Sequence, residues 1–143
     1  MTITNFNIRV YGIVLNSSRE ILITHERYKN QILTKFVGGG LEKGEGLKDG
    51  LIREFEEELG ESVELGDLIY VNDFFQQSAF VETDQIISVF YIVNPKNFDQ
   101  FVKRTQIKND NQNFEWIPLQ TVKSDLFSFN IEKTVLTLLQ QKY

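Results

Sequence analysis

Between Gly38 and Gly60 the chain reads Gly-Gly-Gly-Leu-Glu-Lys-Gly-Glu-Gly-Leu-Lys-Asp-Gly-Leu-Ile-Arg-Glu-Phe-Glu-Glu-Glu-Leu-Gly, three glycines leading into a glutamate-rich run that stops on another glycine. The pattern predicts a helix from Gly46 to Gly60, with Gly60 as its C-cap. On a helix advancing about 100° per residue, Glu54, Glu57 and Glu58 fall within roughly a 100° arc, being spaced i, i+3, i+4. Leu51, Ile52, Phe55 and Leu59 gather on a separate arc that can face a core. Three like charges so close repel one another by a few tenths of a kcal/mol per pair, and a segment shaped for helix stability alone would place a lysine among them. A glutamate-rich face taken by itself is more often solvated surface. Beside a glycine run, however, oxygen-only donors suit a hard cation, magnesium or manganese. Gly38, Gly39 and Gly40 let backbone approach a ligand closely. Arg53 stands one turn before Glu57, where it can hold a carboxylate by a charge-assisted hydrogen bond.

The rest of the chain supplies strands and helices. Ile8–Leu15 and Ile21–His25 are rich in β-branched residues and flank a turn at Asn16-Ser17-Ser18, which predicts a hairpin. Val63–Phe75 and Gln85–Val93 read as further strands, the second almost wholly apolar and so central in its sheet, closed by Pro95. Lys103–Asn113 reads as a surface loop, Phe114–Ile117 as a short strand ended by Pro118, and Ile131–Gln140 as a terminal amphipathic helix. With no internal repeat or linker, the expectation is one α/β domain over residues 1–143, helices covering a mixed sheet.

Composition narrows the function. The 143 residues suffice for one core. The absence of cysteine removes disulfide scaffolds, thiolate metal sites and cysteine nucleophiles, and suits a reducing cytoplasm. No signal peptide is visible and no apolar run has the length to span a bilayer, so the expected setting is cytoplasmic, without a membrane partner. A net charge of −5 without a basic stretch speaks against nucleic acid as a partner. It also means that a phosphate-handling site needs positive charge from elsewhere, which a divalent cation supplies. A P-loop is excluded, since no Gly-Lys-Ser/Thr follows the glycines.

The segment as a whole resembles the Nudix box, G-x5-E-x7-R-E-U-x-E-E-x-G-U with U a bulky aliphatic residue. Gly39, Glu45, Arg53, Glu54, Phe55, Glu57, Glu58 and Gly60 fall in register, with the box spanning Gly39–Glu61. Phe55 is aromatic at the first U position and Glu61 charged at the last, where Val63 is expected to take over the packing; Val37 stands where the family usually has proline. Every charged position of the motif is intact. The resemblance implies a Nudix α/β/α sandwich around a mixed sheet. It implies hydrolysis of a phosphoanhydride bond in a nucleoside diphosphate linked to another moiety, with Mg2+ as cofactor and Mn2+ as substitute.

By the same resemblance Glu54, Glu57, Glu58 and the Gly38 carbonyl are the metal ligands. Glu54 is the general base, Arg53 orients the carboxylates, and Glu45 fixes the loop to the helix. Gly39 and Gly40 border the substrate. Asp110, Glu115, Glu82 and Asp84 are alternative bases outside the box, and Asp110 sits where some relatives place a further metal ligand. The partner is a small nucleotide, and a homodimer is a family-level expectation. Neither of the two prolines, Pro95 and Pro118, nor Tyr70 or Tyr91 stands where ADP-ribose or dinucleoside polyphosphate hydrolases carry their marker residues. A catalytically silent module on the same fold is the alternative, but such modules lose box carboxylates and none is lost here.

Outside the box, Arg9 and Tyr11 share a face of the first strand, which either reaches a nucleotide or lies at an exposed edge. His25 is expected to be structural. Phe74, Phe75 and Phe80 are expected in packing or a dimer contact before base stacking, and Trp116 in the core.

Overall fold

The computed structural model describes residues 2–143. In chain order the elements are β1 (Asn5–Ile13), β2 (Glu20–Tyr28), β3 (Gln31–Lys35), β4 (Val37–Gly40), α1 (Leu47–Leu59), β5 (Val63–Val71), β6 (Asp84–Pro95), α2 (Phe98–Thr105), β7 (Gln112–Pro118), a 3-10 turn at Ser124–Leu126, and α3 (Asn130–Lys142). The strands divide into a mixed four-stranded sheet ordered β4-β1-β6-β5 and an antiparallel three-stranded sheet ordered β3-β2-β7. β1 and β6 run parallel; their other neighbours pair antiparallel. The apolar run of β6 thus does lie inside its sheet, and Pro95 ends it.

Alternation along the strands feeds two cores. On β1, Tyr11 and Ile13 join Ile21, Ile23, Phe36, Phe90 and the α3 residues Ile131, Val135, Leu136 and Leu139. Val10 and Val14 face the other way, with Leu22, Val37, Leu51, Phe55, Leu59 and the α2 residue Phe101. α1 and α2 therefore cover one side and α3 the other, so the helices enclose the sheets as expected. Each buried Leu or Phe contributes about 1.5–3 kcal/mol relative to exposure, which makes Leu51, Phe55 and Leu59 a firm anchor for α1. Among the described residues no helix is long and apolar enough to cross a membrane.

Two expectations are corrected. β1 and β2 do not form a hairpin: they enter different sheets and meet only at an isolated bridge between Leu15 and Ile21. β1 is apolar on both faces, so it takes an interior place between β4 and β6 instead of pairing with the next strand. The hairpin that does form joins β2 to β3 around Lys29 and Asn30, with Lys29 at φ 51°. Secondly, the segment read as a loop from Lys103 begins inside α2. Asn97 caps that helix by accepting from Gln100 N, and Phe101 and Thr105 are its buried positions.

Candidate active site

Phe55 reaches the backbone of β1 itself: a Cβ on Gly12 would lie 2.5 Å from the Phe55 ring. The aromatic residue at an aliphatic box position is accommodated by a glycine across the interface. At the helix end, Gly60 takes the left-handed conformation and donates its N–H to Glu56 O. Glu61 stays at the surface of the packing, 3.3 Å from Arg104 Nε on α2, while Val63 is buried in its place as expected.

The glycines before the helix are held as β4 against β1, with Tyr11 opposite Gly38 and Val10 opposite Gly39. Gly38 has φ 154°, and a Cβ there would strike Val10 O at 2.0 Å, so no other residue fits. A Cβ on Gly39 would lie 2.6 Å from Glu54 Oε1. The Glu54 carboxylate therefore rests directly on the glycine strand, and only a residue without a side chain leaves it room.

Arg53 gathers the acids. Its Nε and Nη2 take Glu45 in a two-point grip at 3.0 and 2.7 Å, and Nη2 also donates to Gly40 O at 3.1 Å. Nη1 donates to Glu54 Oε1 at 3.3 Å and to Glu57 at 3.2 Å, and Glu42 lies 3.7 Å away. Glu45 Oε1 accepts from Glu42 N, which closes the loop onto itself. Hydrogen bonds from Arg53, then from the Glu42 N–H, hold the Glu45 carboxyl down to about 2. Glu45 is thus the tie between loop and helix, as the sequence suggested, and Arg53 the residue that orients Glu54 and Glu57.

Glu58 stands apart from this network. Its Oε1 accepts from Gln112 Nε2 at 2.6 Å, and its Oε2 is buried with no hydrogen-bond partner among the described residues. Burial pushes its pKa up to about 7, with the Gln112 hydrogen bond and Lys35 offsetting only part of the penalty. Burial likewise raises Glu54, which Arg53 and Lys35 partly counter. Among the described residues no three acidic or histidine side chains already stand grouped as a metal cage. Glu54 and Glu57 are brought together through Arg53, and Glu58 is held separately. The donor set nevertheless fits a hard divalent cation: all its atoms are oxygens, and Glu58 Oε2 is an acceptor without a donor.

Beyond the glycine strand lies a cavity of about 480 Å3. Its floor includes Arg9, Tyr11 and Lys35, and its mouth carries Tyr28, Phe80 and Phe129. Phe80 packs on Tyr28 with ring centroids 4.5 Å apart and meets Phe129 edge-on at 6.3 Å. β1 is interior, so the Arg9 and Tyr11 face is no exposed edge: it opens into the cavity, with Arg9 Nε donating to Tyr11 Oη at 2.7 Å. A Cβ on Gly40 would lie 3.6 Å from Arg9 Nη1, so this guanidinium adjoins the box loop. Burial opposes its charge, but Tyr11, Glu54 and Glu132 outweigh that and raise its pKa. Lys35 Nζ lies 2.9 Å from Glu26 Oε2, and Tyr11 and Glu26 keep it charged against its burial.

The remaining candidates scatter. Glu115 pairs with His25 Nε2 at 2.7 Å, and His25 Nδ1 meets Thr34 Oγ1, so His25 is structural. Asp110 is in an exposed loop whose backbone accepts from Arg27. Glu82 lies in the turn before β6, and Asp84 opens that strand, paired with Asn5. Phe74 and Phe75 are exposed. Trp116 packs with Phe98 and Phe101 and donates to Thr105 Oγ1.

Sequence reasoning missed Lys35, Gln112 and Glu132. Glu132 had a signal: it falls on the apolar stripe of the terminal helix, beside Val135, Leu136 and Leu139, and is buried there with Oε2 accepting from Phe36 N. Lys35 ends a strand that polar residues disguised, and Gln112 closes a polar loop with nothing to distinguish it.

A family model described as the NUDIX domain matches residues 5–138. The chain belongs to the Nudix family. It is a pyrophosphohydrolase by that membership, of a family acting on nucleoside diphosphate derivatives. No curated protein matches the sequence. Solved structures share its fold. The ORF135 protein of E. coli superposes with a TM-score of 0.71 at 17% identity, covering 96% of this chain and 91% of that one. A MutT structure from work on Aliivibrio salmonicida and Vibrio cholerae gives 0.68 at 21% identity, covering 96% and 99%. The MutT protein of Methanosarcina mazei Go1 gives 0.70 at 16% identity, covering 97% and 96%.

Proposed function

We propose that this Nudix protein uses a divalent cation, Mg2+ with Mn2+ as substitute, to hydrolyse a phosphoanhydride bond in a nucleoside triphosphate or another nucleoside diphosphate derivative. The observation that carries this reading is the junction of two features. A cavity of nucleotide size, with half-buried Arg9 and buried Lys35 on its floor and aromatic rings at its mouth, meets the box loop where Arg9 Nη1 lies beside Gly40. The aromatic mouth suits a base and sugar, while Arg9 and Lys35 suit phosphate oxygens on the way to the box. Glu54, Glu57, Glu58 and the Gly38 carbonyl would hold the ion. A divalent ion held there would neutralise diphosphate charge and lower the pKa of the attacking water. Glu54, packed against Gly39 with its pKa raised by burial, would take the proton from the attacking water. The water oxygen bonds to phosphorus, the bridging P–O bond breaks, and the leaving phosphate keeps the electron pair. Arg53 holds Glu54 and Glu57 in place throughout, and Glu45 holds Arg53. The partner is a small nucleotide and not a nucleic acid, against which the charge of −5 speaks, and the cysteine-free chain suits a reducing cytoplasm.

The test is a panel of nucleoside triphosphates, nucleotide sugars and dinucleotides incubated with Mg2+ or Mn2+ and resolved by chromatography. Metal-dependent release of a nucleoside monophosphate from at least one member is expected. Inactivity across the whole panel with either metal would sink the proposal.

A further inference from the structure

Arg53 meets Glu42, Glu45, Glu54 and Glu57, but not Glu58. What meets Glu58 is a neutral amide from another part of the chain. Gln112, at the start of β7, places Nε2 2.6 Å from Glu58 Oε1 and 3.0 Å from Thr24 Oγ1. Thr24 is fully buried in the middle of β2, between Lys35 on β3 and Phe114 on β7. The anchor is therefore a fixed point of the antiparallel sheet, and both hydrogens of the amide nitrogen are committed. An ionised Glu58 sets the orientation of the amide, because a flipped Gln112 would oppose its carbonyl oxygen to a carboxylate oxygen at 2.6 Å.

Two consequences follow for Glu58. Its carboxylate is pinned by one oxygen, so it cannot swing about, and the other oxygen, Oε2, stays buried without a donor among the described residues. The pin carries no charge. A lysine or arginine in its place would neutralise the carboxylate much as Arg53 neutralises its neighbours, whereas an amide orients Glu58 and leaves its charge for a cation. We infer that Gln112, anchored on Thr24, is a positioning residue that presents Glu58 Oε2 to the divalent ion, an inference resting on the proposed role of Glu58 as a metal ligand. The device lies outside the box, joining the antiparallel sheet to the carboxylate helix.

The experiment is a titration of Mn2+ by electron paramagnetic resonance, read as loss of the free-ion signal, together with thermal melts of the metal-free proteins. Wild type, Gln112→Leu, Gln112→Lys and Thr24→Val are compared. Gln112→Leu is expected to weaken Mn2+ binding about 10–100-fold, the range typical of residues that orient metal ligands. Gln112→Lys is expected to raise the metal-free melting temperature, by pairing with Glu58, while weakening Mn2+ binding further. A purely structural role would move stability and affinity in the same direction. Thr24→Val, which keeps the shape of the anchor, is expected to weaken binding about tenfold and carries the test if Gln112→Leu does not fold. Wild-type affinity in the Gln112→Leu or Thr24→Val protein would overturn the positioning role. Failure of the wild type itself to bind Mn2+, with or without nucleotide, would instead overturn the ligand assignment, and this inference with it.

Discussion

The two ends of the acidic helix face solve the same electrostatic problem in opposite ways. Around Arg53, four carboxylates share one guanidinium: Glu45 is held ionised, Glu57 is mostly exposed, and the loop is tied to the helix by charge-assisted bonds. Around Glu58, one carboxylate has a neutral donor on one oxygen and, among the described residues, none on the other, which is buried, and its pKa rises to about 7. The first arrangement is saturated in charge: Arg53 ties the loop to the helix through Glu45 and orients Glu54 and Glu57 for the ion they would hold. The second is under-satisfied, which costs stability and leaves binding capacity. The contrast teaches that membership in a carboxylate cluster does not fix a residue's role. The partner each oxygen already has decides it.

The sharpest way to break the comparison is at Glu58. In Glu58→Gln the amide carbonyl still accepts from Gln112, while an uncharged NH2 replaces the unpartnered buried oxygen and the charge is gone. Turnover is expected to fall by on the order of a hundredfold or more, beyond what loss of a supporting residue gives. The metal-free protein should at the same time melt a few degrees higher, since an unpaired buried charge costs more than the neutral amide that replaces it. Steady-state rates and calorimetry check both halves. A variant that keeps its rate would remove Glu58 from the machinery, and one that melts lower would mean that Oε2 has a partner in solution.

Arg53→Lys tests the other end. The charge is kept, but the planar fork that grips Glu45 at two points while reaching Gly40, Glu54 and Glu57 cannot be reproduced by one ammonium. The expected result is a 10–100-fold loss in kcat/KM, with a lowered melting temperature because Glu45 and Glu54 lose their tie. Arg53→Lys should thus destabilise where Glu58→Gln stabilises. If both variants shifted stability in the same direction, the distinction between a saturated and an under-satisfied end would collapse.

How much of this was legible beforehand follows the same division. The Arg53 end is local: Glu45, Arg53, Glu54 and Glu57 lie within thirteen positions of one another, helical spacing with an opposite charge pointed to Arg53 holding a helix carboxylate, and the family resemblance pointed to Glu45 as the tie to the loop. The apolar face of α1, the C-cap at Gly60 and the central place of β6 were equally readable, each resting on a periodicity or on one residue with a distinct conformational preference. The Glu58 end is not local. Gln112 is 54 positions away, and nothing in a polar run of Asn, Asp and Gln marks the one amide that folds back onto the helix. Strand partners were lost for a similar reason. The proximity of β1 and β2 in sequence suggested a hairpin, whereas apolar residues on both faces of β1 call for two neighbours, and those come from β4 and β6. Helix α2 escaped because charged residues mask a stripe of only two buried positions, Phe101 and Thr105. Glu132 could have been found, since a glutamate inside an apolar helical stripe is conspicuous.

Glu132 offers the smallest effect and extends the comparison to the cavity. Like Glu58 it is a buried acid with limited compensation: burial pushes its pKa up to about 8, and the Phe36 N–H, Lys35 and Arg9 recover only part of the cost. A carboxyl whose native pKa lies above its ordinary value of 4.5 binds its proton more tightly when folded than when unfolded. Its contribution to stability is therefore fully present below about pH 4.5 and is lost as the pH rises towards 8. Glu132→Gln keeps the acceptor for Phe36 N and removes the proton. The two proteins should have nearly equal stability near pH 4.5, and the variant should gain with rising pH, by at most about 1.4 kcal/mol per pH unit, until the difference levels off near pH 8. Denaturant melts across that range measure it. The groups facing Glu132 are Arg9 from β1 and Lys35 from β3, both cationic throughout the range, so the slope belongs to Glu132 alone. A difference that did not change with pH would show that these two cations already hold the carboxylate ionised in the native state. Glu132 would then belong with the saturated acids around Arg53, and not with Glu58.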